Sequence, residues 1–455
     1  MRNWSTSWTP TPKPWTNTST APDDRSLTGS RGKPANSRTR IDSIRKSMNR
    51  KLLFSILLVV FIDLLGFSLI LPLLPYYAET FGANNFVTGL LIASYALMQL
   101  IGAPILGRLS DRYGRRPILL VSVFGTFIGF MLLGFATTLW VLFAARILDG
   151  ITGGNLSVAQ AYISDVTDSR NRARGLGMIG AAFGLGFIIG PVTGGLLSQY
   201  GYNVPAFAAA ALALVNFVLI YAWLPESLTE EKRRQLGEKE KPGFTISALV
   251  TAIQRPFTGA LLITRFFFGL AFAIFQTIFS LYALTRFNLS ARDTGFVLTY
   301  VGILSVLVQG FLVGRLTNRF REDHLITFAV ALMAVSLIGW AWAPSVFWLL
   351  VVLTPTSLSG GLLNTLLSST LTKAVAPQEV GGILGLSASV ESSTRILAPI
   401  IGGALLEKVG TWSPGAFGAI VMIGVTVYVA AKILNHPIVA SLKQEPVPAP
   451  AAVSD

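Results

Sequence analysis

Twelve long apolar stretches dominate this chain and limit what it can fold into. Each has about 20 residues or more, the length that an α-helix needs to cross the hydrocarbon core of a bilayer. The stretches are continuous rather than alternating, which favours helices over a membrane barrel. They lie at 52–77, 86–107, 117–138, 140–164, 175–199, 205–224, 258–285, 293–314, 324–343, 346–372, 380–406 and 412–434. We therefore predict an all-α integral membrane protein with twelve transmembrane helices.

The composition supports this prediction and excludes several other classes of protein. Only 13% of the 455 residues are charged and 52% are hydrophobic, whereas soluble proteins carry roughly a quarter charged residues. The chain has no cysteine, so disulfides and thiolate chemistry are excluded. It also lacks a phosphate-binding loop and the serine-hydrolase and zinc-protease motifs. We expect neither an enzyme nor a nucleotide-driven pump, and we expect no cofactor and no metal site.

The basic residues predict which ends of the helices lie in the cytoplasm. With the N-terminus inside, 30 of the 36 Lys and Arg residues fall on cytoplasmic segments, as the positive-inside rule requires. Both termini are then cytoplasmic. The net charge of +14 reflects this topology, and we expect no nucleic-acid partner.

The same analysis divides the chain into five segments. We predict a disordered basic cytoplasmic tail at 1–51, a six-helix bundle at 52–224 and a cytoplasmic loop at 225–257. A second six-helix bundle at 258–434 and a cytoplasmic tail at 435–455 follow. The first tail could instead be an organellar transit peptide, or translation could begin at Met48; the sequence leaves this open.

An internal repeat relates the two halves of the chain. Three short patterns of the first half recur in the second at an offset of 206–208 residues. They are Thr88-Gly89 with Thr294-Gly295, Gly107-Arg108-Leu109 with Gly314-Arg315-Leu316, and Pro191, Gly194 and Gly195 with Pro399, Gly402 and Gly403. A repeat in a twelve-helix protein predicts two pseudo-symmetric six-helix bundles with a cavity between them, the architecture of an alternating-access carrier.

The loop after the second helix has an unusual arrangement of glycine, acid and arginine. Residues 107–117 read GRLSDRYGRRP. Asp111 could lie against a helix N-terminus, where the helix dipole favours a carboxylate, and the arginines could pair with it or with lipid headgroups. We predict a latch for one conformation, formed by Gly107, Asp111, Arg112, Gly114, Arg115 and Arg116.

The fifth helix carries glycines at every fourth position. Gly186, Gly190 and Gly194 share one face, and Pro191 and Gly195 lie beside them. Small faces let helices approach closely in a bilayer. The face could be a simple packing seam, or it could seal the two bundles against each other.

These residues carry a family resemblance that covers about residues 52–435. The loop resembles motif A of the major facilitator superfamily, and the glycine helix resembles the antiporter motif C. The first helix, with FIDLLG at 61–66 and LPLLP at 71–75, is similar to that of the twelve-helix drug:proton antiporters. Residues 95–117 are close to the tetracycline efflux proteins. The resemblance implies export driven by inward proton flow, across a cell membrane.

The chain departs from the tetracycline exporters at several positions. Gly129 stands where they have an acid in the third helix, and the ninth helix has no acid between Phe328 and Trp340. Ser305 replaces their histidine, and Asn318 replaces the acid in the second copy of motif A. These departures argue against recognition of a tetracycline–metal complex.

Six charged residues fall inside the apolar stretches. A charge at mid-membrane costs about 2.5–3.5 kcal/mol on insertion scales, so it should face a cavity or a partner. Asp63 is our first candidate for the proton-carrying carboxylate. The resemblance makes Arg146 the arginine of motif B, which could supply a cation beside Asp63; the alternative is a static Asp63–Arg146 pair. Asp149 could help to hold Arg146.

The other three charges lie in the second half. Glu391 and Arg395 are four residues apart and share a helix face, so they could simply neutralise each other. Alternatively, Glu391 is a second proton site or a site for a cationic substrate, supported by Arg395. Arg265 has no partner nearby in sequence and could attract an anionic substrate.

Polar and aromatic residues could line a central cavity. The candidates are Tyr95, Gln99, Asn155, Arg265, Gln276, Gln309 and Asn364. The sequence therefore predicts a multi-pass transporter, monomeric by analogy, that exports small and largely hydrophobic compounds in exchange for protons. The alternative is a proton-coupled symporter or a uniporter for a sugar or another small metabolite. The substrate, the stoichiometry and the choice between a bacterial and an organellar membrane stay open.

Overall fold

The computed structural model describes residues 36–167, 169–228, 230–231, 251–376 and 379–434. The predictions for 1–35, for most of the central loop and for the C-terminal tail from 435 lie outside these residues. The chain divides into a short unit, 1–47, and a large unit, 48–455, which contains all the predicted spans. Within the described ranges the chain is helical and has no strand.

Fifteen α-helices are described. They are α1 Asn36–Ile70, α2 Leu74–Glu79, α3 Asn85–Tyr113, α4 Arg115–Gly134, α5 Leu139–Thr152, α6 Asn155–Val166, α7 Ser169–Leu197, α8 Asn203–Trp223, α9 Pro256–Phe287, α10 Ala291–Leu307, α11 Val313–Arg319, α12 Glu322–Ala341, α13 Val346–Lys373, α14 Val380–Lys408 and α15 Ser413–Lys432. Helix α1 begins within the segment predicted to be disordered. Residues 36–51 contain neither Pro nor Gly, so nothing in them breaks the helix.

Ten spans of the described chain are long and apolar enough to cross a membrane. The other two predicted spans are not among these ten, and the structure shows why. The stretch 140–164 forms two short helices, α5 and α6, which are separated by Gly153 and Gly154. Helix α14 is rich in Ser and Gly and carries Glu391 and Arg395, which lower its hydropathy. That these two also cross the membrane stays a prediction.

Large apolar side chains point outward from these helices. Trp140, Phe347 and Ile420 are 82%, 75% and 69% exposed. A soluble monomer rarely exposes large contiguous apolar surface. Such exposure is expected where the surrounding solvent is the lipid bilayer.

The helices of the two halves pack in the same pattern. Helix α4 packs on α5 and α8, and its repeat equivalent α12 packs on α13 and α15. Helix α3 packs on α5, as α10 does on α13. The three largest clusters of buried apolar residues each stay within one half of the chain, at 252–433, 56–224 and 69–213. Each half therefore has its own core.

Two helix pairs make the most extensive contacts between the halves, α3 with α14 and α7 with α10. At each pair a glycine of one half lies directly against a proline carbonyl of the other: Gly89 against Pro399, and Gly295 against Pro191. A Cβ at either glycine would collide with that carbonyl. The glycines of the repeat thus allow the backbones of the two halves to come into contact, once between α3 and α14 and once between α7 and α10.

Polar contacts reinforce the same end of the molecule. The hydroxyls of Tyr76 and Thr294 are 2.5 Å apart, and the backbone N–H of Asn85 donates to Glu407 at 3.0 Å. This is the end that the charge pattern places outside the cell. The halves are therefore closed at their predicted outer end.

In the described ranges, glycines towards the opposite ends of these helices face open space rather than the other half. Around Gly177, Gly180, Gly310, Gly314 and Gly385, no heavy atom of the described chain outside the local helix lies within 4 Å of a Cβ position. This is the end with the basic loops. The space between the halves is thus open on the predicted cytoplasmic side.

The close approach at Gly89 generates a first prediction. Overpacking costs about 1–3 kcal/mol, which changes an equilibrium roughly 5- to 150-fold, so Gly89→Leu should hold the outer end open. Because the chain has no cysteine, a single Thr294→Cys reports on this end. Thr294 is fully buried. We expect an impermeant maleimide added to intact cells to label it several-fold faster when Gly89→Leu is present.

The matched control is Gly424→Leu, because a Cβ at Gly424 meets nothing within 4 Å of the described chain. This variant should leave the labelling rate unchanged. Equal labelling of the Gly89 and Gly424 variants would contradict the assignment of the α3–α14 contact as the outer closure.

Candidate functional site: the intramembrane charges

Asp63 lies near the middle of the apolar span Lys51–Glu79, in the last two turns of α1, and is bound by an amide. The side-chain nitrogen of Asn155, the first residue of α6, donates to Asp63 Oδ1 at 2.7 Å. The break at Gly153 and Gly154 starts α6 at this depth and so brings Asn155 to Asp63. Two predicted site residues are therefore in direct contact.

In this structure Arg146 is held by Asp149, which is one of the arrangements that the sequence suggests, and it does not pair with Asp63. It pairs with Asp149, one helical turn further along α5, at 2.8 Å, and both side chains are almost completely buried. The guanidinium also lies over the rings of Tyr95 and Phe130, with centroid distances of 5.3 and 5.7 Å. Since Asp149 is three residues away, it reaches Arg146 without any tertiary movement, and it satisfies the arginine locally.

Tyr95 and Gln99 form the adjoining wall. The Gln99 amide donates to the Tyr95 hydroxyl and to the carbonyl of Gly153, both at 3.0 Å. The Tyr95 ring also packs against Phe67, with centroids 5.4 Å apart. The predicted cavity residues of the first half thus form one connected group beside Asp63.

In the second half, Glu391 lies between two arginines. Arg395 donates to Glu391 Oε1 at 2.7 Å, and Arg265 donates to Oε2 at 2.9 Å. Arg265 is buried and also contacts the side chains of Asn364 and Ser368, so it is not without a partner. Glu391 therefore neutralises one positive charge of two, and Arg395, whose side chain is 47% exposed, faces open space.

The two remaining cavity candidates are exposed. Gln276 lies in α9, and Gln309 lies in a five-residue π-helical turn between α10 and α11. Such turns are rare and often occur at functional sites. The described contacts do not join either glutamine to the charged groups.

The motif A residues form a separate network at the predicted cytoplasmic end. Arg115 pairs with Asp111 at 2.7 Å and with Asp165 at 3.0 Å. Gly114 has a φ of +106°, which glycine adopts readily, and it turns the chain directly from α3 into α4. Arg112 lies on the exposed side, over the ring of Tyr113.

Asp111 does not lie at a helix N-terminus, as the sequence analysis expected. That position belongs to Glu226, whose carboxylate accepts the backbone N–H groups of Arg115 and Arg116 at 2.9 and 3.1 Å. A carboxylate is stabilised there by the unpaired N–H groups and the helix dipole. Sequence reasoning missed Glu226 because it lies more than a hundred residues away, although its place just after the sixth apolar stretch was a usable signal.

The motif C glycines have two different partners. Gly186, Gly190 and Gly194 pack on α1, against Leu64, Ser68 and Leu69. Gly195 instead meets the backbone of Ala291 and Arg292 in the other half. Three glycines therefore form a packing seam within the first half, and Pro191 and Gly195 contact the second half; that these contacts seal the two bundles stays a prediction.

A family model identifies the protein family of this chain. The model for the Major Facilitator Superfamily matches residues 56–399 and 261–453. The chain belongs to the Major Facilitator Superfamily. The resemblance read from motifs A and C is thereby confirmed, and so is the expectation of a membrane transport protein rather than an enzyme.

Named relatives cover most of the chain. The class H tetracycline resistance protein of Pasteurella multocida is 33% identical over 78% of this chain and 88% of its own length. Multidrug resistance protein 2 of Bacillus subtilis is 30% identical over 84% of this chain and 95% of its own. The structure of the nucleoside transporter NupG superposes with a TM-score of 0.68 at 14% identity, covering 84% of this chain and 98% of that one; it supports the fold alone.

The arrangement around Glu391 generates a second prediction. Glu391→Gln would leave the buried Arg265 beside Arg395 without their shared carboxylate. We expect the free energy of unfolding to fall by about 1–3 kcal/mol, the typical cost of leaving a buried polar group unpaired. Thermal unfolding of the purified protein in detergent measures this loss.

The matched control is Glu379→Gln. Glu379 also accepts two hydrogen bonds from an arginine, Arg255, but both side chains are about half exposed, at 45% and 48%. Water replaces the lost contact there, so the change should be much smaller. A larger loss of stability at Glu379 than at Glu391 would contradict the role of Glu391 as the buried counter-charge.

Proposed function

We propose that this chain is a proton-coupled exporter of small, largely hydrophobic compounds, which works by alternating access. In this proposal twelve helices cross a cell membrane as two pseudo-symmetric six-helix bundles, with both termini in the cytoplasm and a monomer as the working unit. The central loop and the tails are cytoplasmic.

The observation that carries the proposal is the state of Asp63. Its described hydrogen-bond partner is the neutral amide of Asn155, while the nearby Arg146 is occupied by Asp149. A carboxylate at mid-membrane without a bound cation is costly when charged, and protonation removes that cost. Asp63 can therefore exchange a proton without breaking an ion pair, as a coupling residue requires.

The end at which the halves are apart indicates on which side of the membrane Asp63 releases its proton. The halves meet through Gly89 and Gly295 at the outer end and are apart at the cytoplasmic end. We assign this arrangement to the inward-facing state, in which Asp63 releases its proton and the substrate enters from the cytoplasm. Rocking about the α3–α14 and α7–α10 contacts would then expose the cavity to the outside, where Asp63 is protonated again.

The named relatives favour export over uptake. A tetracycline resistance protein and a multidrug resistance protein both match across three quarters or more of the chain. The alternative, a symporter or uniporter for a sugar or other small metabolite, has its own support. A nucleoside transporter shares the fold, and the exposed amides of Gln276, Gln309 and Asn364 could bind a polar molecule.

A transport assay tests the proposal. Inside-out vesicles are energised with an imposed pH gradient, which a fluorescent dye reports, and lipophilic cations, neutral antibiotics and sugars are added in turn. We expect at least one apolar compound to dissipate the gradient in wild-type vesicles. Asp63→Asn should reduce this response to that of protein-free vesicles, because the amide cannot carry a proton.

The control variant is Asp293→Asn, which makes the same change at an exposed position at the start of α10. It should respond as the wild type does. Undiminished proton movement in Asp63→Asn would contradict the assignment of Asp63. A response to sugars alone, together with gradient-independent counterflow, would favour the alternative function.

A further inference from the structure

The charge cluster of the second half has more arginines than acids. Glu391 has a single negative charge, and its two oxygens accept from Arg265 at 2.9 Å and from Arg395 at 2.7 Å. Helices α9 and α13 contain no acidic residue, and the other acid of α14 is Glu407, near the predicted outer end. One positive charge of the cluster is therefore left without a counter-charge from these helices.

Arg395 is the arginine that can offer this charge to a ligand. Arg265 is buried and pairs with Glu391. It also donates to the Asn364 side-chain oxygen at 3.3 Å and to the Ser368 hydroxyl at 3.1 Å. The described hydrogen bond of Arg395 comes from one nitrogen alone, and its side chain is 47% exposed. Since a guanidinium has five N–H donors, most donors of Arg395 remain available.

The helix face that carries Arg395 leads into the space between the halves. Positions 395, 399 and 403 are four residues apart and so share one face of α14. Pro399 and Gly403 lie against Gly89 of α3, and Arg395 lies one turn further towards the predicted cytoplasmic end. Arg395 is also close enough to Tyr95 of α3 to interact with it electrostatically. The guanidinium therefore faces the first half just beyond the point where the halves separate.

The opposite wall is aromatic. The ring of Tyr95 packs against that of Phe67, with centroids 5.4 Å apart, and both residues are partly buried. An uncompensated charge between membrane helices is costly, and a guanidinium matches a carboxylate through two parallel hydrogen bonds. A compound with one carboxylate and an aromatic body would satisfy both the charge and the wall.

We propose that Arg395 anchors the substrate and that the substrate class is an amphipathic organic monoanion. Its carboxylate binds the guanidinium, and its apolar part lies on the side of Tyr95 and Phe67. Binding neutralises the surplus charge of the second half, which Glu391 cannot do because it is shared with Arg265. This proposal rests on the proposed function in that the bound anion is the compound that is exported.

The experiment measures binding to the purified full-length protein in a neutral detergent, without any gradient. Isothermal titration at neutral pH compares phenylbutyrate with two compounds of similar size, the uncharged phenylbutanamide and the cationic phenylbutylamine. Heats from protein-free micelles are subtracted. Because hydrogen bonds between charged groups are stronger than neutral ones, we expect phenylbutyrate to bind at least about tenfold more tightly than the amide. The amine should not bind measurably.

Three substitutions in the cluster should change the affinity for phenylbutyrate in different ways. Arg395→Gln removes the surplus charge and leaves the pair of Arg265 and Glu391, so its affinity should fall to that for the amide. Arg395→Lys keeps the charge but not the paired donors, and its affinity should be intermediate. Glu391→Gln leaves two arginines without an acid and should bind more tightly than the wild type.

The matched control is Arg319→Gln, which removes an exposed positive charge at the end of α11 in the same half. It should keep the wild-type affinity. Thermal unfolding without ligand checks that each variant is folded.

Equal affinity of the wild type for phenylbutyrate and for its amide would overturn the proposal, because the charge would not be recognised. Undiminished affinity in Arg395→Gln would do the same, because the anion would then bind elsewhere. Binding is measured without transport, so the two proposals fail separately. Selective anion binding together with a failed pH-gradient assay refutes the proposed export alone, whereas proton movement driven by uncharged compounds without anion binding refutes the anion site alone.

Discussion

A charge inside the hydrocarbon core needs a partner in direct contact, and the interior of this protein satisfies that requirement in three ways. Arg146 and Asp149 neutralise each other one turn apart on the same helix. Glu391 is shared by Arg265 and Arg395, which come from different helices. Asp63 alone relies on an amide. The first two arrangements are fixed by strong ionic contacts. Under the proposed exchange, Asp63 can gain or lose a proton without disrupting either ion pair.

The second constraint is the close approach of helix backbones between the halves. It distinguishes the two ends of the helices that contact each other across the halves. At the predicted outer end, Gly89 and Gly295 let proline-containing helices of the opposite half come so near that no side chain fits between them. At the predicted cytoplasmic end, glycines such as Gly180 and Gly385 face open space instead. Small residues thus form a tight contact between the halves in which helix backbones meet directly.

The sequence predicted most of the fold and the membership of the site, but few of its pairings. Apolar length alone located the ten described helical spans that are long and apolar enough to cross a membrane, and the offset repeat anticipated that equivalent glycines make contacts in both halves. The local suggestion that Asp149 helps to hold Arg146 agrees with the contact that the structure shows, whereas the tertiary pair of Arg146 with Asp63 is not formed. Glu226 was missed because its role depends on α8 packing against α4, and it does not belong to a motif. Local spacing carries no information on such contacts.

The charges of the two halves are opposite in sign, and this bears on the energy source of the proposed exchange. With Asp63 ionised, the first half has one surplus negative charge and the second has one surplus positive charge, at the exposed Arg395. Protonation of Asp63 removes the negative surplus and leaves the interior with one positive charge. A chain that returns protonated therefore moves a charge that the chain loaded with a neutral substrate does not. The membrane potential acts on that difference, at about 2.3 kcal/mol per charge for each 100 mV. Under the proposed exchange, a neutral substrate would be driven out by the potential as well as by the pH gradient, whereas a monocation exchanged for one proton would feel the pH gradient alone.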